Sequence, residues 1–295
     1  MQRRSLFTDS FSSPETDEEL QELIGNHPSY DSYYVASGAI EDRREHFDKL
    51  YSKYHPHTDR NFLSAVKHDF HGRTWEMYLS VVLLNNGIEI ESSDVGPDIL
   101  VKHEGKKIWI ECVACQRGDK ADSVPPMEWN KIGTIPEEKM RIRIASSLAD
   151  KKKVYDKYIE KEIIDKDDIF IIAVNGGMFG YPEYAYPRIL QTLFAIGYPT
   201  LSFPVGGGEP VSGVSRISQI KKEGGGDAPM DFFLNEDNKG ISAVIYSNNT
   251  VLNHPGTSGQ GVLLVHNPKA KNPLSDVVLD FLKTYKVDER GGIQL

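Results

Sequence analysis

Hydrophobic positions along the chain change their period several times, and each change predicts an element. "HGRTWEMYLSVVLLNNG" is apolar almost all round from Arg73 to Asn85. That predicts a buried helix which Asn86 and Gly87 end. Short runs follow: "IEIES" and "DILVKH" predict two strands, "EGKK" a turn and "KIWIECVAC" a third strand. After a polar loop containing "VPP", the spacing from Glu137 to about Glu162 predicts a long helix. "DIFIIAVNGG" is apolar throughout and closes on glycine, the pattern of a central parallel strand. Earlier, helical stretches "DEELQELIG" and "AIEDRREHFDKLYSKY" lie between Asp17 and Tyr54, behind ten to fifteen polar residues expected to fray. Later, "YPRILQTLFAIG" reads as helix and "ISAVIYS" and "GVLLVHN" as strands. "PLSDVVLDFLKTYK" reads as a terminal helix with Ser275 as its cap.

The order helix, three strands, helix, strand predicts an α/β fold: a central mixed β-sheet flanked by helices, with a helical crossover after a hairpin. It divides the chain into an N-terminal helical extension over 1–60, a core over 61–178, and a C-terminal α/β portion over 179–295. The last is expected to pack on the core as part of the same domain. Glycine-rich "VGGGEP" and "EGGGD" lack the strand–loop–helix setting of a phosphate-binding loop and are expected on the surface.

Composition changes this picture little. Hydrophobic residues are 39% and charged residues 26%, ordinary for a soluble globular chain. The net charge of −9 argues against non-specific coating of nucleic acid, yet leaves room for a local basic cleft. No stretch approaches the roughly 20 apolar residues of a membrane helix. The segment after Arg3 and Arg4 has no apolar run, so a cytoplasmic protein is expected. Cys112 and Cys115 are the only cysteines. Cys112 alternates with Ile108 and Ile110 in a strand, which favours core packing over redox or metal chemistry.

Two acids carry the candidate chemistry. Trp109, Glu111 and Val113 share one side of their strand, while Ile110 and Cys112 share the other. Glu111 is thus a carboxylate among buried groups, costly unless partnered. Asp98 opens the preceding strand after Gly96 and Pro97, and a tight hairpin brings it beside Glu111. Glu76 lies on the helical stripe of Leu79, Ser80 and Leu83 and also faces inward. Like charges gathered at one spot suit an oxygen-ligated divalent cation, Mg²⁺ or Mn²⁺.

Gly96-Pro97-Asp98 followed by Ile110-Glu111-Cys112-Val113, on this element order, resembles the PD-(D/E)xK nuclease superfamily, the restriction-endonuclease-like fold. The resemblance covers about Gly72 to Asn175. It implies that Asp98 and Glu111 hold a divalent metal for phosphodiester hydrolysis, with Glu76 as an additional acid. Nucleic acid, most naturally DNA, is the implied partner, and a homodimer is an expectation by analogy. Val113 stands where the family has its lysine.

Another cation has to be found for an active site. Ile144, Leu148, Lys151, Tyr155 and Tyr158 form one stripe on the long helix, with a single lysine in it. Lys151 either reaches the acids or borders the stripe and extends to water. Arg141, on an earlier turn, is expected to accompany it. Arg73, His71 and Gln116 are candidate substrate contacts, as are Asp119 and Lys120 in the following loop. The histidines of "HPH" and "HDFH" and His266 read as ordinary structural positions. Three readings remain: a Mg²⁺-dependent endonuclease of restriction or defence type, a nuclease-like fold that binds nucleic acid or a protein without catalysis, or a structural protein whose acids merely pair with Arg141 and Lys151.

Overall fold

The computed structural model describes residues 5–91, 95–119, 121–128, 132–183, 186–253, 255–287 and 293–294. Helices α1 (Asp17–Gly25), α2 (Ser32–Ala39), α3 (Glu41–Tyr54) and the short α4 (Phe62–Ala65) precede α5 (Phe70–Asn85). Strands β1 (Ile90–Glu91), β2 (Ile99–His103) and β3 (Lys106–Ala114) follow, then α6 (Glu137–Glu160), β4 (Ile169–Asn175) and α7 (Arg188–Leu193). Two hairpins come next, β5 (Ile196–Ser202) with β6 (Val211–Arg216), and β7 (Gln219–Lys221) with β8 (Asp227–Pro229). The chain closes with β9 (Ala243–Ser247), β10 (Val262–His266), β11 (Lys283–Val287) and β12 (Ile293–Gln294).

Among the described residues the central sheet runs β1-β2-β3-β4-β9-β10-β11, with the short β12 pairing on the outer edge of β11. It is mixed: β1, β2 and β3 are antiparallel, β3, β4 and β9 parallel, β9 and β10 antiparallel, and β10 and β11 parallel. Residues from the 61–178 core and from 179–295 therefore share one sheet. Alternation along β3 builds two cores. Ile108, Ile110 and Cys112 join α2, α3 and α5 on one face, while Trp109 joins Met140, Ile144 and Leu148 of α6 and residues of α7 on the other. Every residue of β4 is buried because it is covered on both faces, hence its apolar run from Ile169 to Val174.

The same covering explains α5, apolar nearly all round. It starts at Phe70, three residues before the expected Arg73, because the Asp69 carboxylate accepts the Gly72 N–H at 3.1 Å and caps it. Trp75 ties α5 to the sheet, its indole N–H donating to the Ala173 carbonyl at 3.0 Å.

Three expectations are corrected. The N-terminal residues do not all fray: Leu6, Phe7 and Phe11 are buried, and the Leu6 N–H donates to the Asp48 carboxylate at 2.8 Å. Helix α7 ends at Leu193, since Ala195 takes a left-handed φ of 56° and turns the chain into β5. The terminal helix is replaced by turns and β11, whose buried Tyr285 and Val287 alternate with exposed Lys286 as it pairs with β10. Glycines 206 to 208, with φ of 110°, 94° and 136°, make the turn between β5 and β6. Among the described residues no helix is long and apolar enough to cross a membrane.

Candidate functional site

The hairpin register assembles the acids. Ile99 lies opposite Ile110, which sets Asp98, one residue before β2, beside Glu111 on β3. The Asp98 Oδ2 atom accepts the Cys112 backbone N–H at 2.7 Å, fixing the half-buried carboxylate against the strand. Glu111 is 5% exposed and points to the α6 face. Glu76, 4% exposed, enters from α5.

Each glutamate is held from both oxygens. Lys151 on α6 donates to Glu111 Oε1 at 2.6 Å, and the Tyr158 hydroxyl lies 3.4 Å from Oε2 and 3.1 Å from the Gly96 carbonyl. Arg73 Nη1 donates to Glu76 Oε2 at 2.8 Å and to Asp59 Oδ2 at 3.2 Å, while the Tyr54 hydroxyl donates to Glu76 Oε1. Burial and the neighbouring Asp98 charge push both Glu76 and Glu111 up to about 7. Burial also raises Asp98, against the pull of Lys151 and of the Cys112 amide. For Lys151, burial lowers the ammonium but Glu111 and Asp98 outweigh it, so the pKa is raised and the charge is kept.

Two cavities share Arg73, Glu76 and Asp98 in their linings. One, of about 410 Å³, is lined also by Val113, Gln116 and Lys151. The other, of about 490 Å³, is lined also by His57, Asp59, Arg60, Asn61, Gly96 and Pro97.

Asp98, Glu76, Arg73, Lys151 and Gln116 line one cavity, and Glu111 is tied to that lining through Lys151. Arg141 does not join them. It is wholly buried, donating from Nη2 to the Gln191 carbonyl at 3.1 Å with Nε and Nη1 unpartnered. Ten residues of α-helix set it about 15 Å along and roughly 80° around from Lys151. His71 is also buried, packed 4.4 Å from the Tyr33 ring, and burial lowers its pKa to about 4. Asp119 is exposed, and Lys120 lies outside the described residues. Both cysteines are free and buried. Tyr54 and Asp59 are the partners that sequence reasoning missed. Both come from the N-terminal extension, Asp59 from the loop at its end, with no local period linking them to Glu76.

A hard cation suits this donor set, which is all oxygen and crowded enough to raise its own proton affinity. Among the described residues no group of three His, Cys, Asp or Glu side chains already closes around one point. Two carboxylates, with solvent and substrate oxygens completing the shell, is the arrangement Mg²⁺ commonly takes. Comparison of the chain with protein-family models, with curated proteins and with solved structures returns no match.

Proposed function

We propose that the chain is a divalent-metal-dependent endonuclease of the restriction-endonuclease-like, PD-(D/E)xK kind, hydrolysing phosphodiester bonds in DNA. The observation that carries this reading is the Lys151 ammonium 2.6 Å from Glu111, in the lining of the cavity that Val113 also lines. It supplies from α6 the cation that the strand itself lacks. Asp98 and Glu111 would hold the metal, with Glu76 as a further acid. A divalent cation there would polarise a phosphoryl oxygen and make bound water more acidic.

The chain's own groups do the rest. Lys151 orients the attacking water from the Glu111 side and offsets negative charge that grows on the phosphoryl oxygens. Tyr158 keeps Glu111 from rotating away, and the Cys112 amide keeps Asp98 aimed into the cleft. Arg73 and Gln116 offer donors to the phosphates on either side of the acids.

The test is incubation of DNA with Mg²⁺ or Mn²⁺, comparing wild type with Asp98→Ala and Glu111→Ala. Wild type cuts and both variants lose the activity. Cleavage that survives both substitutions overturns the assignment.

A further inference from the structure

The larger cavity lies on the far side of the acids from Lys151, and the chemistry above leaves its outer wall without a task. That wall is the segment linking α3 to α4, which contributes His57, Asp59, Arg60 and Asn61. Its shape is set from within. Asp59 Oδ1 accepts the Asn61 N–H at 2.6 Å, and Asp59 Oδ2 accepts from Arg73 at 3.2 Å. The Thr58 hydroxyl donates to the His55 carbonyl at 3.0 Å. Asp59 thereby pins the segment to the arginine that also holds Glu76, while Arg60 and Asn61 stay exposed at the cavity.

Resting on the nuclease reading, we infer that residues 57–61 form a subsite for the nucleotide next to the scissile phosphate, on the side away from Lys151. A volume of about 490 Å³ is in the range of pockets that enclose one small-molecule-sized unit. Arg60 takes a non-bridging oxygen of the adjacent phosphodiester, a charge contact without sequence information. Asn61 and His57 present donors and acceptors to the sugar or base of that nucleotide. Both cavities share Arg73, Glu76 and Asp98, so a strand laid across these residues would reach both, with the bond at the acids an internal one. The N-terminal extension is therefore part of the binding machinery, through the loop at its end.

The experiment measures KM and its salt dependence for Mn²⁺-supported cleavage of one labelled DNA oligonucleotide by wild type, Arg60→Ala, Arg60→Lys and Asn61→Ala. Loss of one phosphate contact reduces the slope of log(1/KM) against log salt by about 0.9 on duplex or about 0.7 on single strands. Arg60→Ala shows that reduction together with a KM raised roughly fivefold, and Arg60→Lys restores the slope. Asn61→Ala raises KM with the slope retained. A wild-type enzyme that cuts, with all three variants matching its KM and slope, overturns the subsite and leaves the nuclease reading standing. A wild-type protein that neither cuts nor binds the oligonucleotide removes both.

Discussion

Glu111 meets a different donor on each carboxylate oxygen, and both donors come from α6. Its ordinary pKa of 4.5 is displaced to about 7 by burial first and by the Asp98 charge second, and Glu76 is displaced alike. The sign for folding follows: the folded state binds protons more tightly than the unfolded one. This contribution is fully present below about 4.5 and is lost as pH rises through about 7. Metal binding runs the other way, because a cation must displace those protons. Calorimetric Mn²⁺ titration at pH 6 and pH 8 then gives affinity about tenfold higher at pH 8 for each carboxyl that must ionise. Equal affinities at the two values contradict the assignment of these acids as ligands. Tyr158 lowers the Glu111 pKa through its hydroxyl. Tyr158→Phe therefore moves the acid limb of the cleavage pH profile upward, with a loss of rate of roughly threefold to tenfold. The aromatic stripe that contains Tyr158 was visible in the sequence, but its hydroxyl's task was not. That task depends on the Gly96 carbonyl and on a carboxylate 47 residues away.

At the scale of elements, α6 separates a legible site residue from an illegible one. Lys151 and Tyr158 are seven residues apart, two turns, so a stripe drawn through Ile144 and Leu148 finds both. Arg141, expected to accompany Lys151, is displaced by ten residues round the helix into the packing near α7. There it keeps two nitrogens without partners, and burial lowers its pKa. A buried, poorly satisfied guanidinium costs the fold more than an apolar chain of like size. Arg141→Met is expected to leave the thermal midpoint unchanged or raise it, with cleavage retained. A midpoint lowered by several degrees shows that the guanidinium is better compensated than its contacts indicate. The segment "PLSDVVLDFLKTYK" failed for a different reason. Its apolar spacing suits a helix as well as a turn and strand, and pairing with β10 decides between them. The alternation of Tyr285, Lys286 and Val287 was the available signal.

Across the whole molecule, one sheet carries residues from 90 to 294 and sets the acids where β2 and β3 meet α5 and α6. The hairpin, the crossover helix and the central strand were readable because each has its own period and length. Contributions from the N-terminal extension were not, since Leu6, Tyr54 and Asp59 act over long sequence separations that no local pattern encodes. Lys151 and Val113 line the same cavity, and on the proposed nuclease reading Lys151 takes the place of a lysine that β3 lacks at Val113. Single-turnover cleavage of DNA in Mg²⁺ by wild type, Lys151→Ala and Lys151→Ala/Val113→Lys addresses this substitution. Loss of the α6 lysine lowers the rate by about 10²–10³, the scale for removing one charge-stabilising donor, and the second change recovers part of it. A Lys151→Ala enzyme that cuts at the wild-type rate contradicts the assignment.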